Sequence, residues 1–582
     1  MGAGGGVAGL VSRDNVEVPA WDAASAGDAV AAERADRQRA LADGRDPDGG
    51  LAAAEAADVA LDAAAAAAAA AADREGGEED LPAPPLDAAA TAVARRRRAV
   101  AAAAKTARKL NAERHSLRCD TTYKLSEAAA FAAADRTPFF LPHNIDFRGR
   151  AYPVPPYLHH MGADVTRGLF LFDASAPGAA TPPPLGTRGA YWLAVHLANL
   201  AGHAKASLPD RHAAGVGLIP RALAVAADPL ADTSLAWWAA ADDPFQLLAV
   251  CTEVAAAVGR HGGAAAMEAH VSSLPVQMDG SCNGLQHYAA LGRDVGGGTA
   301  VNLTPGPAPR DVYTGVAALV AARVAADASP AGAAADADRA ALAAAVGPLV
   351  NRKLVKQTVM TSVYGVTRIG ARSQVMARLR STPAFATDAR AWAAAGYLSG
   401  LTLDCIGDLF AGATATMGWL GDCAAAVAAA GAEVRWTTPL GLPVLQPYRR
   451  ASRRVVRTLV QQLVLATPGE HLPVLRSRQR SAFPPNYIHS LDSSHMLMTA
   501  TACAAAGLQF AAVHDSFWSH ASTVDVMNGA LRVEFVRLHR RDLLAELREG
   551  FLLDHPGLDL PPLPERGEQH VREVLESPYF FS

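Results

Sequence analysis

The stretch Phe510-Ala-Ala-Val-His-Asp-Ser-Phe-Trp518 decides how this chain is read, because an apolar, strand-like run is broken by a histidine and an aspartate. A carboxylate taken out of water needs a pairing charge or a metal ion. If a strand ends at Asp515, another part of the 582-residue chain must supply the partner.

Leu274-Pro-Val-Gln-Met-Asp-Gly-Ser-Cys-Asn-Gly-Leu-Gln-His287 repeats the pattern, since a second apolar approach ends at Asp279 and runs into small residues that let backbone come close to a ligand. One strand-end aspartate is ordinarily a helix or turn cap. Two of them, 236 residues apart on separate strands, form a carboxylate pair able to share divalent cations.

Three further segments surround that pair. In Arg352-Lys-Leu-Val-Lys-Gln-Thr-Val-Met-Thr-Ser-Val-Tyr-Gly365, the residues Arg352, Lys356, Met360 and Tyr364 recur every four positions. That spacing lines two cations, a thioether and a phenol along one stripe of a helix, with Gly347-Pro348 marking its start. Such a face suits a triphosphate at one end and a stacked base at the other; an amphipathic surface helix has the same pattern. In Leu141-Pro-His-Asn-Ile-Asp-Phe-Arg-Gly-Arg-Ala-Tyr152, Arg148 and Arg150 flank a glycine, an arrangement that suits phosphate oxygens. Phe483-Pro-Pro-Asn-Tyr-Ile-His-Ser-Leu-Asp-Ser-Ser-His495 leads by a short helix into the opening stretch, and His489 there is read as a hydrogen-bonding group rather than a metal ligand.

Composition sets the frame. Half of the residues are hydrophobic, as in a globular chain with two to four packed units. The net charge of −4 hides a division: residues 1–90 hold 18 acids against 6 arginines, whereas residues 91–582 hold 39 acids against 47 bases. The main body is therefore basic, which is compatible with a polyanionic partner. Six scattered cysteines without a Cys-x-x-Cys pair argue against a zinc ribbon and a disulfide framework, and for a reducing compartment. The alanine run Ala63 to Ala72 falls short of the roughly 20 apolar residues of a spanning helix, and no membrane association is expected. Residues 1–50 have neither the arginine-rich, acid-poor character of a transit peptide nor the apolar core of a secretory signal.

With these motifs in hand, the chain resembles the single-subunit, phage-type RNA polymerases of bacteriophages, mitochondria and plastids. Asp279-Gly-Ser-Cys-Asn-Gly284, Lys356 with Tyr364-Gly365, and His514-Asp515-Ser516 look like the family's motifs A, B and C. The likeness continues in Pro142 to Arg150, in Trp436-Thr-Thr-Pro-Leu-Gly-Leu-Pro-Val-Leu-Gln446 and in Pro578-Tyr-Phe-Phe-Ser582, and covers about residues 105–582 in the family's order. It leans toward the organellar branch, and it departs from the family pattern at Ser493, where many relatives have glycine, and at Gln357.

The resemblance implies an α/β right-hand polymerase fold, mostly helical with an antiparallel palm sheet, fingers and a partial thumb. The expected division is a low-complexity stretch over 1–85, a helical thumb-like remnant over 86–136, palm over 137–290, fingers over 291–500 and palm completion over 501–582. The fingers would include a nucleotide-binding helix over 348–365 and a specificity-loop-like segment over 448–483, whose Arg449, Arg450, Arg453, Arg454 and Arg457, followed by Arg476, Arg478 and Arg480, suit entry into a DNA groove or, for most of them, simple phosphate contact. A long alanine-rich helix is expected over 311–345.

It further implies that Asp279, Asp515 and the Gly280 carbonyl hold two Mg²⁺ ions, that Lys356 neutralises the triphosphate and acts as acid toward pyrophosphate beside Arg352, and that Tyr364 meets the incoming base and sugar. His489 falls where the family bonds the 2′-hydroxyl, and Arg148, Arg150, Arg167 and His514 where it meets nucleic acid. The implied partners are template DNA, product RNA, ribonucleoside triphosphates and organellar initiation factors, for a monomer in the mitochondrion or, alternatively, the plastid. Two other readings are a family-A DNA polymerase and a truncated, non-initiating nucleic-acid-binding remnant. Against the first, Gly284 stands where those enzymes carry a glutamate that blocks the 2′ position, and Ser516 follows the motif C aspartate where they have glutamate. For the second, only about 85 low-complexity residues stand where the family carries a large promoter-contacting domain.

Overall fold

The structure is a computed structural model that describes residues 88–133, 138–173, 182–261, 264–382, 385, 390–457, 462–469 and 471–582. The low-complexity stretch expected over 1–85 lies outside the described residues. Two compact units are formed, one through Ala129 and one from Ala130 to Ser582. The described part of the first is residues 88–129 of helix α1 (Ala88–Ala133), where alanine and arginine favour helix. No single described helix is long and apolar enough to cross a bilayer.

The second unit is mostly helical, with short antiparallel sheets. Strands β1 (His143–Ile145) and β2 (Ala151–Pro153) form a hairpin around the Arg-Gly-Arg turn. Helices α2 (Gly186–Ala198), α3 (Leu208–Ala227) and α4 (Pro244–His261) pack together beneath β3 (Pro275–Asp279), which leads into the buried helix α5 (Asn283–Gly292). Helices α6 (Val312–Asp327), α7 (Arg352–Ser362), α8 (Arg368–Arg380) and α9 (Ala391–Leu409) make a second layer, followed by α10 (Ala411–Ala429). Two hairpins follow, β4 (Arg435–Thr437) with β5 (Pro443–Leu445) and β6 (Ala451–Arg457) with β7 (Gln462–Pro468). Helix α11 (Arg476–Ala505) packs on α5, α10 and α12 (Val524–His539). Between α11 and α12 stand β8 (Ala511–Val513) and β9 (Ser516–His520), and α13 (Leu543–Asp554) ends the helical part.

Local chemistry explains three departures from the expected elements. The helix expected over 311–345 is three helices, because Ser329 caps a new start with Pro330 behind it and Asp336 caps another. The helix expected over 348–365 is α7, Arg352–Ser362; Asn351 caps it by accepting from the Leu354 N–H at 3.1 Å, and Gly347–Leu349 is a separate 3₁₀ turn. Phe483 to His495 is not an approach to a short helix but lies inside the 30-residue α11, with Pro484 and Pro485 within it. Proline in a helix interior costs ~3 kcal/mol, and here every residue from Phe483 to Met496 is buried, so tertiary packing outweighs the local penalty.

The sheet that organises the molecule has the order β3-β9-β8, all antiparallel. The opening stretch is thus a hairpin rather than a strand ending at Asp515: Val513 pairs with Ser516 across the two-residue turn His514-Asp515. His514 adopts the left-handed conformation, with φ 57°, which histidine tolerates better than most side chains. The register sets Asp279 opposite Ser516, so the two aspartates arrive at the same end of the sheet. One face of the sheet is anchored by Val276, Met278 and Phe517 and the other by Trp518, all about 1% exposed. Phe580 and Phe581 are as deeply buried, Phe581 bridging Gly280 and lying 5.1 Å from the Phe517 ring. Burial of each such ring contributes about 1.5–3 kcal/mol.

Candidate active site

The carboxylate end of the site is built by backbone. The Gly280 N–H donates to the Asp515 carbonyl at 3.2 Å, and the Ser582 N–H donates to the Asp279 carbonyl at 3.2 Å, so both aspartates are held through their main chain. Asp279 is exposed and Asp515 half-buried, and neither forms an ion pair among the described residues. Burial raises the Asp515 carboxyl above its ordinary value, and the Asp279 charge adds to the rise. Gly280 is closely packed, because a Cβ there would stand 3.1 Å from Gln286 Oε1 and from the Phe581 ring.

Helix α7 approaches the same end. Leu354, Val355, Thr358 and Val359 face inward, leaving Arg352, Lys356 and Met360 on the open side, and Tyr364 follows one turn past the helix end. The stripe read from the sequence is therefore real, although its phenol stands on the turn before Gly365, whose φ is 74°. Arg352 is oriented by Asp311, with Nε to Oδ2 at 2.6 Å, and lies over the Tyr313 ring at 5.2 Å. Burial raises the Tyr364 phenol, and the charge of Asp515 raises it further. Gly284 sits against it: an added Cβ would meet Val363 Cγ2 at 3.2 Å and the Tyr364 hydroxyl at 3.6 Å.

A third group, the Arg-Gly-Arg turn, docks on α11. Both guanidinium groups are engaged within the protein. Arg148 is held by Asp146 and by His489, and Arg150 pairs with the buried Asp492, with Nε to Oδ1 at 3.1 Å. Burial pushes the Asp492 carboxyl up to about 6 against the pull of Arg150. The His489 ring lies 4.9 Å from the Tyr364 ring. His514 stands edge-on to Tyr152 at 4.9 Å, and burial, reinforced by Arg150, holds it down to about 4 and neutral. Arg167 turns back on the sheet, donating to the Gly162 carbonyl at 3.1 Å and lying over the Trp518 ring. In the segment expected to read promoter DNA, Arg449 binds Glu433 and Arg480 binds Asp422, while Arg450 is exposed; the side chains of Arg453, Arg454 and Arg457 lie outside the described residues.

Two residues that the sequence reading passed over belong here. Asp492 looked like one polar residue among several, and only its pairing with Arg150 across 342 positions distinguishes it. Lys205 lies on the turn between α2 and α3; burial lowers its pKa, Asp311 opposes that, and the charges of Arg352, Arg211 and Lys356 add to it. It therefore joins the cations of α7, which no local motif signals.

The donor set fits Mg²⁺. Among the described residues no cluster of three or more His, Cys, Asp or Glu forms a metal site, and two carboxylates with a carbonyl suit a hard cation that takes its other ligands from water and phosphate. Zinc ordinarily takes three or four protein ligands.

Sheet-borne aspartates facing a helix of cations, in a mostly helical chain, make up a right-hand polymerase fold. The model of the DNA-dependent RNA polymerase family matches residues 183–558, and the chain belongs to that family. It is 49% identical over 482 residues to DNA-directed RNA polymerase 2B, chloroplastic/mitochondrial, of Nicotiana tabacum, covering 82% of this chain and 45% of the relative. It is 48% identical over 480 residues to DNA-directed RNA polymerase 1, mitochondrial, of Nicotiana sylvestris, and over 485 residues to DNA-directed RNA polymerase 2, chloroplastic/mitochondrial, of Arabidopsis thaliana, each covering 82% of this chain and 46% of the relative. The chain thus spans about half the length of the curated relatives it matches.

Proposed function

We propose that this chain is the catalytic core of an organellar DNA-directed RNA polymerase, adding ribonucleoside monophosphates to an RNA 3′ end on a DNA template. The observation that carries this is the register that sets Asp279 opposite Ser516, which brings two carboxylates from distant segments to one end of the sheet. Asp279, Asp515 and the Gly280 carbonyl would hold Mg²⁺, which when bound supplies Lewis acidity toward the 3′-hydroxyl and neutralises triphosphate charge.

The chain's own residues do the rest. Arg352, oriented by Asp311, and Lys356 bind the triphosphate, and Lys356, exposed and flexible, is placed to give a proton to pyrophosphate. Tyr364 offers its ring to the base, and His489 offers a polar edge to the sugar. Position 284 carries glycine and not the glutamate of the DNA-polymerase alternative, and it lies against Val363 and Tyr364, which supports ribonucleotides as substrates. The printed names of the relatives place them in mitochondria, chloroplasts or both, and this supports an organellar genome as the template.

Extension of an RNA primer on a DNA template with Mg²⁺ is the test. Extension by the wild type and its loss in Asp515→Asn are expected. Equal activity of the two sinks the carboxylate assignment, a preference for deoxynucleotides sinks the RNA polymerase reading, and an inactive wild type favours the binding remnant.

A further inference from the structure

One hydrogen bond decides which nitrogen of the His489 imidazole carries its proton. Arg148 Nη1 stands 2.6 Å from His489 Nδ1. A guanidinium has donors only, so Nδ1 accepts with its lone pair. A neutral ring then bears its proton on Nε2. The ring is neutral, since burial, joined by the charges of Arg150 and Arg148, pushes it down to about 2. Nε2 has no hydrogen bond among the described residues and lies on the side of the ring away from Nδ1.

Arg148 is itself locked. Asp146 accepts from its Nε at 3.0 Å and its Nη2 at 2.6 Å, and also from the backbone N–H groups of Arg148 and Arg150 at 2.9 and 3.0 Å. Ser490, the neighbour of His489 on α11, donates its hydroxyl to the Arg148 carbonyl at 2.9 Å. Gly149 has φ 103°, and a Cβ there would stand 3.0 Å from Ser493 Oγ, so this turn seats directly on α11. The whole assembly faces Tyr364, whose ring is 4.9 Å from His489.

From this geometry we infer that Arg148, clamped by Asp146, is a positioning residue that fixes His489 as an Nε2–H donor toward the 2′-oxygen of the incoming ribonucleotide. The inference rests on the polymerase reading above. Arg148 acts through His489 and need not touch the substrate, in contrast to a phosphate-binding arginine.

The test is a double-mutant cycle read on the ratio of kcat/KM for a ribonucleotide to that for the matching deoxynucleotide, measured with the full chain. Arg148→Met is expected to lower the ratio about tenfold, as the loss of one well-placed hydrogen bond would. Asp146→Asn, the milder variant should Arg148→Met unfold, is expected to lower it about threefold. In a His489→Ala background neither change is expected to lower it further. An unchanged ratio in the variants that fold overturns the inference, as does a drop of the same size in the His489→Ala background, which would give Arg148 a role of its own. If the wild type extends no RNA primer, the polymerase reading fails first and the inference with it.

Discussion

The two ends of the candidate site are built by opposite rules. At the histidine end every charge has a partner within the protein: Arg148 with Asp146 and His489, Arg150 with Asp492. At the carboxylate end, Asp279 and Asp515 face each other with no cation paired to either among the described residues. Paired groups preorganise a surface and stay fixed, whereas an unneutralised pair stores electrostatic free energy that a bound cation releases. Under the proposed function, the paired end positions the substrate and the unpaired end carries the chemistry.

The largest effect that separates the ends is on activity. Asp515→Asn or Asp279→Asn is expected to reduce primer extension roughly a thousandfold or more, since several kcal/mol of charge stabilisation disappear. Either change should leave stability without metal equal or higher, because it relieves repulsion between like charges. Asp492→Asn should do the reverse and lower unfolding stability by about 3–5 kcal/mol, as it leaves the Arg150 charge buried without its partner. If Asp279→Asn destabilises in a urea titration as much as Asp492→Asn does, the contrast fails.

A smaller effect comes from behind the carboxylate sheet, where His287, His495 and His539 are buried and His287 Nδ1 lies 2.9 Å from His539 Nε2. Burial holds all three below the ordinary histidine value, His495 at about 4. Their native pKa values are depressed, so the unfolded chain binds more protons as pH falls below about 6.5. Stability is therefore full above that pH and is lost by up to about 1.4 kcal/mol per unit for each ring as pH falls toward 4. His539→Gln should flatten the slope of unfolding midpoint against pH, and an unaltered slope would mean that these rings do not control it. The smallest effect is expected from Gly280→Ala, about 1 kcal/mol of stability, because the new methyl must displace Gln286 Oε1 and the Phe581 ring by a few tenths of an ångström. A stability loss above about 3 kcal/mol would show a more rigid C-terminal seal than the contacts imply.

Much of the carboxylate end was legible in the sequence, and little of the histidine end. Asp279 and Asp515 stood out because an acid closing an apolar run violates the ordinary pattern, and the four-residue period from Arg352 to Tyr364 displayed one face of a helix directly. Local signals misled where tertiary packing prevailed. Phe483 to His495, read as a lead into a short helix, lies inside the continuous α11, where complete burial offsets its two prolines. The pairing of Arg148 with His489 and of Arg150 with Asp492 could not be read locally, because those partners lie more than 300 positions away. Lys205 carried no motif at all.

What the sequence determined by itself was therefore chemical identity: which acids, cations and aromatic rings exist, and which of them share a strand end or a helix stripe. Periodicity of 2 or 3.6 residues is a local property and can be read from the chain. What only the tertiary structure decided was pairing. The one-residue offset that brings Asp279 beside the Asp515 turn depends on strand register, and the engagement of Arg148 and Arg150 depends on where α11 packs. Register and packing are set by the burial of side chains from distant segments at once, and no single stretch of sequence contains both halves of that interaction.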